Sequence, residues 1–163
     1  MYKRILVPVA GGPASTLGLQ EAIRFAKDQK AHLRIIHVVD EAVLAQYPEP
    51  METTGQLLET IINGGKETLN DAMALARRKG IKAECVLYEK LLGSLADLIL
   101  KEAKKWRADI IVMGTHKQSG IEHFFLGSDA ETIARSTLLP VLLIHAPPSA
   151  KRKPAAKRKA ASV

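Results

Sequence analysis

Short apolar runs separated by stretches of helical spacing constrain this chain more than any other feature. The runs fall at 5–9, 33–39, 83–88, 110–113 and 141–144 and are rich in Val, Ile and Leu. Their hydrophobicity is continuous rather than alternating, the pattern of parallel strands covered on both faces. Between them Leu19, Ala22, Ile23 and Ala26 share one helical face, as do Leu58, Ile61, Leu69, Ala72 and Ala76. Leu95, Ile99, Ala103 and Trp106 repeat the spacing, and so do Ala130, Ile133, Ala134 and Leu138. Strands alternating with helices, without hairpin signals, predict an α/β fold: an open, doubly wound, five-stranded parallel sheet with helices on both faces.

Punctuation agrees with that reading. Pro13 suits a first helical turn, and Gly80 suits a helix end after Arg77, Arg78 and Lys79. Ser94 with Asp97 resembles a capping box, and Pro140 separates the last helix from the last strand. Pro8 falls in a strand expected to be central, so it is read as the last paired position, already turning toward the ligand crevice. Segment 40–55 has Pro48, Pro50 and little periodicity, and is expected to be a long mobile connection over the same crevice. Asp40 and Glu41 are read as a solvated exit from the strand.

Composition narrows the function classes. At 163 residues the chain is long enough for one domain with a full core. No apolar run approaches the roughly 18 residues of a membrane span, and the first run is shorter than the roughly 7–15 residues of a signal-peptide core. One cysteine, Cys85, excludes an internal disulfide framework and is expected to be a small buried hydrophobe. A cytoplasmic location is the expectation. The net charge of +7 is local. Lys151, Arg152, Lys153, Lys157, Arg158 and Lys159 lie in the tail; without these six, 18 basic residues face 17 acidic ones. Residues 1–146 therefore form the expected domain, and 147–163 a basic, disordered tail. That tail suits nonspecific contact with nucleic acid or an anionic surface, or simply solubilises the chain.

The most informative local segment runs from Ile110 through Gly114 to Gly127 and Ser128. An apolar run ends at Gly114, a polar loop follows, and Ser128 with Glu131 forms a capping box at a helix start. A glycine-bearing loop leading into a helix N-terminus offers exposed N–H groups and a favourable dipole to an anion.

These residues resemble the universal stress protein family over about 3–146: ILVPV at the start, IIHVVDE, IIVMGTH, then GS and PVLLIHA. The resemblance implies strand order 3-2-1-4-5, frequent dimerisation, and either ATP binding or its absence. The family's nucleotide motif is G-x2-G-x9-G-[ST]. Gly114 matches its first glycine, Gly127 and Ser128 match its last pair, and Lys117 replaces the second glycine. Nucleotide-binding members carry an aspartate at the end of the first strand, where this chain has Ala10. By the same resemblance Pro8 and Val9 flank the nucleotide, Val38 offers backbone to the adenine, and Met113 lines the pocket. His116 lies beside the phosphates, and Asp129 follows Ser128 at the loop's end. Left-handed strain at Lys117 of about 1–2 kcal/mol, with a lost charge-assisted hydrogen bond of about 1.5–3 kcal/mol, weakens binding about ten- to several-hundredfold. The Lys117 ammonium offers a phosphate some compensation as a point charge. ATP, with Mg²⁺ accompanying it, is expected to bind more weakly than micromolar.

The remaining candidates read as structural. His32, His37, His123 and His145 lack ligand spacing, so no metal site is expected. Trp106 reads as core. No nucleophile–base constellation is visible, so a catalyst is not expected; a slow nucleotide hydrolase is the least favoured alternative. The run Val141, Leu142, Leu143 and Ile144 is the sheet's edge in the family's order. Pro140 precedes it and no charge interrupts it, so pairing into a homodimer is expected, with Val141 and Leu143 on one face and Leu142 and Ile144 on the other. The expected function is a regulatory or sensing module of the stress response, or a ligand-free interaction dimer.

Overall fold

The computed structural model describes residues 1–40, 51–90, 94–116 and 128–146. Its strands are β1 (Arg4–Pro8), β2 (His32–Asp40), β3 (Ala83–Lys90), β4 (Ile110–His116) and β5 (Val141–Ala146). Four helices join them: α1 (Gly12–Gln29), α2 (Met51–Arg78), α3 (Leu95–Trp106) and α4 (Ser128–Ser136). All four strand pairings are parallel, and the order is β3-β2-β1-β4-β5. The expected fold class and order are both present.

Alternation of side chains across the pleat sorts the core into two halves. Ile5 and Val7 of β1, and Val9 just beyond it, pack with Leu33, Ile35, Ile110 and Val112 under α1 and α2. Leu6, Ile36, Ile111 and Met113 pack on the other side under α3 and α4, with Ile99 and Ile133. Full burial of such a side chain contributes about 1.5–3 kcal/mol, so both faces of the sheet carry stability. No described helix is long and apolar enough to cross a membrane.

Local signals act where the sequence placed them. Pro13 lies in the first turn of α1. The Ser94 hydroxyl accepts from the Asp97 N–H at 3.0 Å. Gly80 has φ 72°, and its N–H reaches the Arg77 carbonyl at 2.9 Å to close the end of α2.

Several expectations need correction. The helix that was to begin after 55 begins at Met51, so the connection is shorter than read. β4 runs on past Met113 to His116, which puts Gly114 inside a strand rather than at the head of a loop. Cys85 is exposed, because β3 is an edge strand and the cysteine lies outside both buried clusters. Leu138 is fully exposed because α4 stops at Ser136, and Ala134 is exposed as well; only Ala130 and Ile133 of that face are buried. Lys117, Gly127, the loop between them and the tail 147–163 lie outside the described residues.

Candidate functional site

Unequal strand lengths create the site. Pro8, the last residue of β1, stands in register with Ile36, while β2 continues to Asp40 and β4 to His116. At roughly 3.3 Å per residue, β2 overshoots β1 by about 13 Å. A notch therefore opens at the carboxyl edge between β2 and β4, above β1. The chain winds α1 and α2 onto one face and α3 and α4 onto the other, so this notch is also the switch point of the sheet, where ligands of such folds bind.

Pro8 suits this position. The Val9 N–H donates to the Ile36 carbonyl at 2.8 Å, so by alternation the Pro8 nitrogen faces β4. Pairing of β1 with β4 runs through Ile5 and Leu6, before Pro8 is reached. The missing donor thus falls where the two strands have already parted.

Beyond Val9 the chain turns into α1 through Gly11 and Gly12, at φ 78° and 82°, conformations that favour glycine. The Ala10 N–H donates to the Ser15 hydroxyl at 2.9 Å, which ties the turn to the helix. α1 starts without a side-chain cap and without an acid in its first turn. α4, by contrast, carries Asp129 and Glu131 in its first turn. Those carboxylates already complement the α4 dipole, so α1 offers the less neutralised positive end. Glu131 is ion-paired to Arg135 at 2.9 Å. Beside the glycine turn, a cavity of about 390 Å³ opens between α1 and α2, lined in part by Ser15, Thr16, Thr68 and Asp71. Sequence spacing gave no sign of Thr68 or Asp71, because a cleft between two helices leaves no local motif.

The expected site residues divide by place. Pro8 ends β1, Val9 and Ala10 follow it, Val38 lies on the overshoot of β2, and Met113, Gly114 and His116 lie along the end of β4. Ser128 and Asp129 open α4. Ala10 is exposed and Val38 half-buried, whereas Met113 is buried in the core cluster beneath α3 and α4. The fold brings these strand ends to one edge.

His37 is a contributor that sequence reading set aside. Its Nδ1 lies 2.7 Å from the Val9 carbonyl oxygen, which accepts, so Nδ1 carries the proton. A Cβ on Gly65 of α2 would stand 2.8 Å from the His37 ring. The ring thus fills the space between the end of β1 and α2. A glycine inside an otherwise regular helix was the available signal.

A second charged cluster lies away from the notch. Arg34 of β2 pairs with the buried Glu102 of α3, and with Glu84 of β3 at 2.9 Å. The Tyr88 hydroxyl donates to Glu102, and the guanidinium stands 4.8 Å from the Trp106 ring centroid. Burial alone would lower the Arg34 pKa, but hydrogen bonds to Glu84 and Glu102, together with their negative charge, outweigh it and raise it. The hydrogen bond from Arg34 holds Glu84 below the usual carboxylate range. Burial, with the Glu102 hydrogen bond, pushes the Tyr88 phenol up to about 12. These contacts anchor α3 to the sheet, although the buried Arg34 Nε has no hydrogen-bond partner among the described residues.

The chain matches the universal stress protein family over residues 1–145. It is similar to a universal stress protein of Methanocaldococcus jannaschii, 33% identical over 148 residues, covering 90% of this chain and 84% of the relative. A crystal structure of a universal stress protein family member from Burkholderia pseudomallei superposes with a TM-score of 0.72 at 29% identity, covering 89% of this chain and 97% of the other. The universal stress protein of Archaeoglobus fulgidus, solved in complex with dAMP, gives a TM-score of 0.64 at 22% identity, covering 88% of this chain and 98% of the other. The match along nearly the whole described domain, together with that 33% identical relative, places this chain in the universal stress protein family.

Proposed function

We propose that the chain is a cytoplasmic, homodimeric regulatory module of the stress response that holds an adenine nucleotide weakly in the notch above β1. The observation that carries this reading is the early end of β1 at Pro8, between the longer β2 and β4. Backbone near Val38 would meet the base, and the end of β4 at Gly114 and His116, with the start of α4, would meet the phosphates. The dAMP complex of the Archaeoglobus fulgidus relative supports a nucleotide as the ligand class. Ala10 offers no carboxylate, so a charge-assisted contact of about 1.5–3 kcal/mol is missing. Mg²⁺ would enter with a triphosphate; among the described residues no three His, Cys, Asp or Glu side chains come together to hold it.

Dimerisation through β5 belongs to the same reading. The strand forms one edge of the sheet, and Leu142 is 37% exposed. Val141 and Leu143 pack toward α3 and α4, and Ile144 toward α1 and α2, as an edge strand with two covered faces requires. The edge backbone of β5, unpaired among the described residues, suits a second copy running antiparallel. The basic tail would add nonspecific attraction to nucleic acid or an anionic surface. An amide-shift titration of isotope-labelled protein with AMP tests the site. Shifts at Val9, Ala10, Val38 and Thr115 are expected; shifts confined to other parts of the chain would refute it.

A further inference from the structure

At the opposite end of the sheet, where the strands begin, a second cavity of about 390 Å³ lies between the ends of α1 and α2. Among the described residues its charged lining is Lys27, Lys30, Lys79 and Lys82, with His32 beside them and no carboxylate. None of these lysines has an ion pair among the described residues. Carboxylates on the neighbouring elements are committed elsewhere or stand outside the lining. Glu84 is paired to Arg34, and His32 of the lining is the weakest of the groups that attract it. Asp109 accepts from the Lys3 and Arg4 N–H groups, at 2.8 Å each. Asp28 does not line the cavity. The domain as a whole is almost neutral, so four cations around one cavity form a local concentration rather than a general bias.

Helix capping explains little of it. The C-terminal carbonyls of α1 are met by backbone donors, the Lys30 and Ala31 N–H groups reaching Lys27 and Ala26. At α2 the Gly80 and Ile81 N–H groups reach Arg77 and Ala76. No lysine side chain is needed there. Lys30 itself sits at φ 52° and ψ 42°, a left-handed position that glycine fills without strain. At the corresponding end of α2 the chain does use glycine, Gly80 at φ 72°. Lys30 bears a conformational cost there, as Arg107 does at φ 56° after α3.

A cleft lined by one sign of charge concentrates counter-ions, and lysine binds phosphate as a mobile point charge. We infer that this basic cavity binds a compact anion carrying two or more phosphate groups, independently of the nucleotide notch. Its volume lies in the range of small-molecule sites, roughly 300–1,000 Å³. Four cations match a polyvalent anion better than a single sulfate or monophosphate.

The test is a calorimetric titration of the full chain with tripolyphosphate. Three proteins are compared: wild type, Lys30→Gly with Lys82→Gln, and a tail variant with Lys151, Arg152 and Lys153 changed to Gln. Saturable binding is expected to weaken at least about tenfold in the cavity variant and to persist in the tail variant. Because Lys30→Gly relieves left-handed backbone, the cavity variant should melt no lower than wild type, which separates lost affinity from lost fold. Should it fail to fold, Lys27→Gln with Lys79→Gln removes two exposed cations and carries the same expectation. Unchanged affinity in the cavity variant, loss only in the tail variant, or no saturable binding by wild type would overturn the inference. Binding of duplex DNA without binding of tripolyphosphate would also overturn it, since the lysines would then act as an open polyelectrolyte surface.

Discussion

Gly18 of α1 and Gly114 of β4 meet backbone to backbone: a Cβ on Gly18 would stand 2.4 Å from the Gly114 nitrogen. The reverse contact is tighter still, with a Cβ on Gly114 falling 1.8 Å from the Ala14 carbonyl oxygen. Neither contact leaves room for a side chain. The glycine that begins the family's nucleotide motif is therefore required by helix packing, whatever occupies the notch. This close approach also seats the start of α1 beside the end of β4, so packing and site geometry share one residue.

The two central glycines of α2 should respond oppositely to alanine. Gly64 has nothing within 4 Å of a built Cβ, so Gly64→Ala should gain about 1 kcal/mol from helix propensity. Gly65 faces the His37 ring at 2.8 Å, so Gly65→Ala should lose about 1–3 kcal/mol by overpacking. Denaturant midpoints of the two variants decide the matter. Equal shifts would mean that His37 does not fill this space.

Removing Glu102 should cost far more than removing Glu84. Glu102 is 1% exposed and pairs with Arg34, whose side chain is 15% exposed. Glu102→Ala leaves a poorly compensated buried cation, a loss of about 3–5 kcal/mol. The Glu84 side chain is 52% exposed, and Glu84→Ala should change stability by no more than about 1 kcal/mol. Similar losses in the two variants would contradict the burial argument.

Alkaline pH should act through Tyr88. Its phenol is pushed up to about 12 in the fold, from an ordinary 10.0, by burial and by hydrogen bonding to Glu102. The folded chain then holds the proton where the unfolded chain has released it. This contribution is intact below about pH 10 and is lost as pH rises through about 12. Wild-type stability should fall more steeply over that window than that of Tyr88→Phe. Parallel curves would remove Tyr88 from the cluster.

Assembly can be read from one substitution. Leu142→Lys places a charge on the exposed position of β5 and should give a folded monomer by light scattering, from a wild-type dimer. An unfolded variant would place Leu142 in the core instead. A wild type that is monomeric at tens of micromolar would end the proposal.

Particular residues show how far the sequence was legible. Continuous apolar runs such as 33–39 revealed the strands because both faces of a parallel sheet are covered. Ser94 and Gly80 marked helix ends because capping is local. The exposure of Cys85 and Leu138 was hidden: it depends on which strand is an edge and on where α4 stops. Glu102 gave no signal either. Its burial is decided by Arg34 and Tyr88, 68 and 14 residues away in the chain. The notch follows from strand register, which propensity does not encode. The basic cavity likewise needs two helix ends to meet.

We propose that the notch holds a nucleotide weakly because Ala10 and Lys117 stand where the resemblance to the family puts Asp and Gly. Calorimetric titration with ATP and Mg²⁺, of wild type and of Ala10→Asp with Lys117→Gly, tests it most directly. Wild-type affinity weaker than micromolar and at least about tenfold tighter binding in the double variant are expected. Unchanged affinity would contradict it.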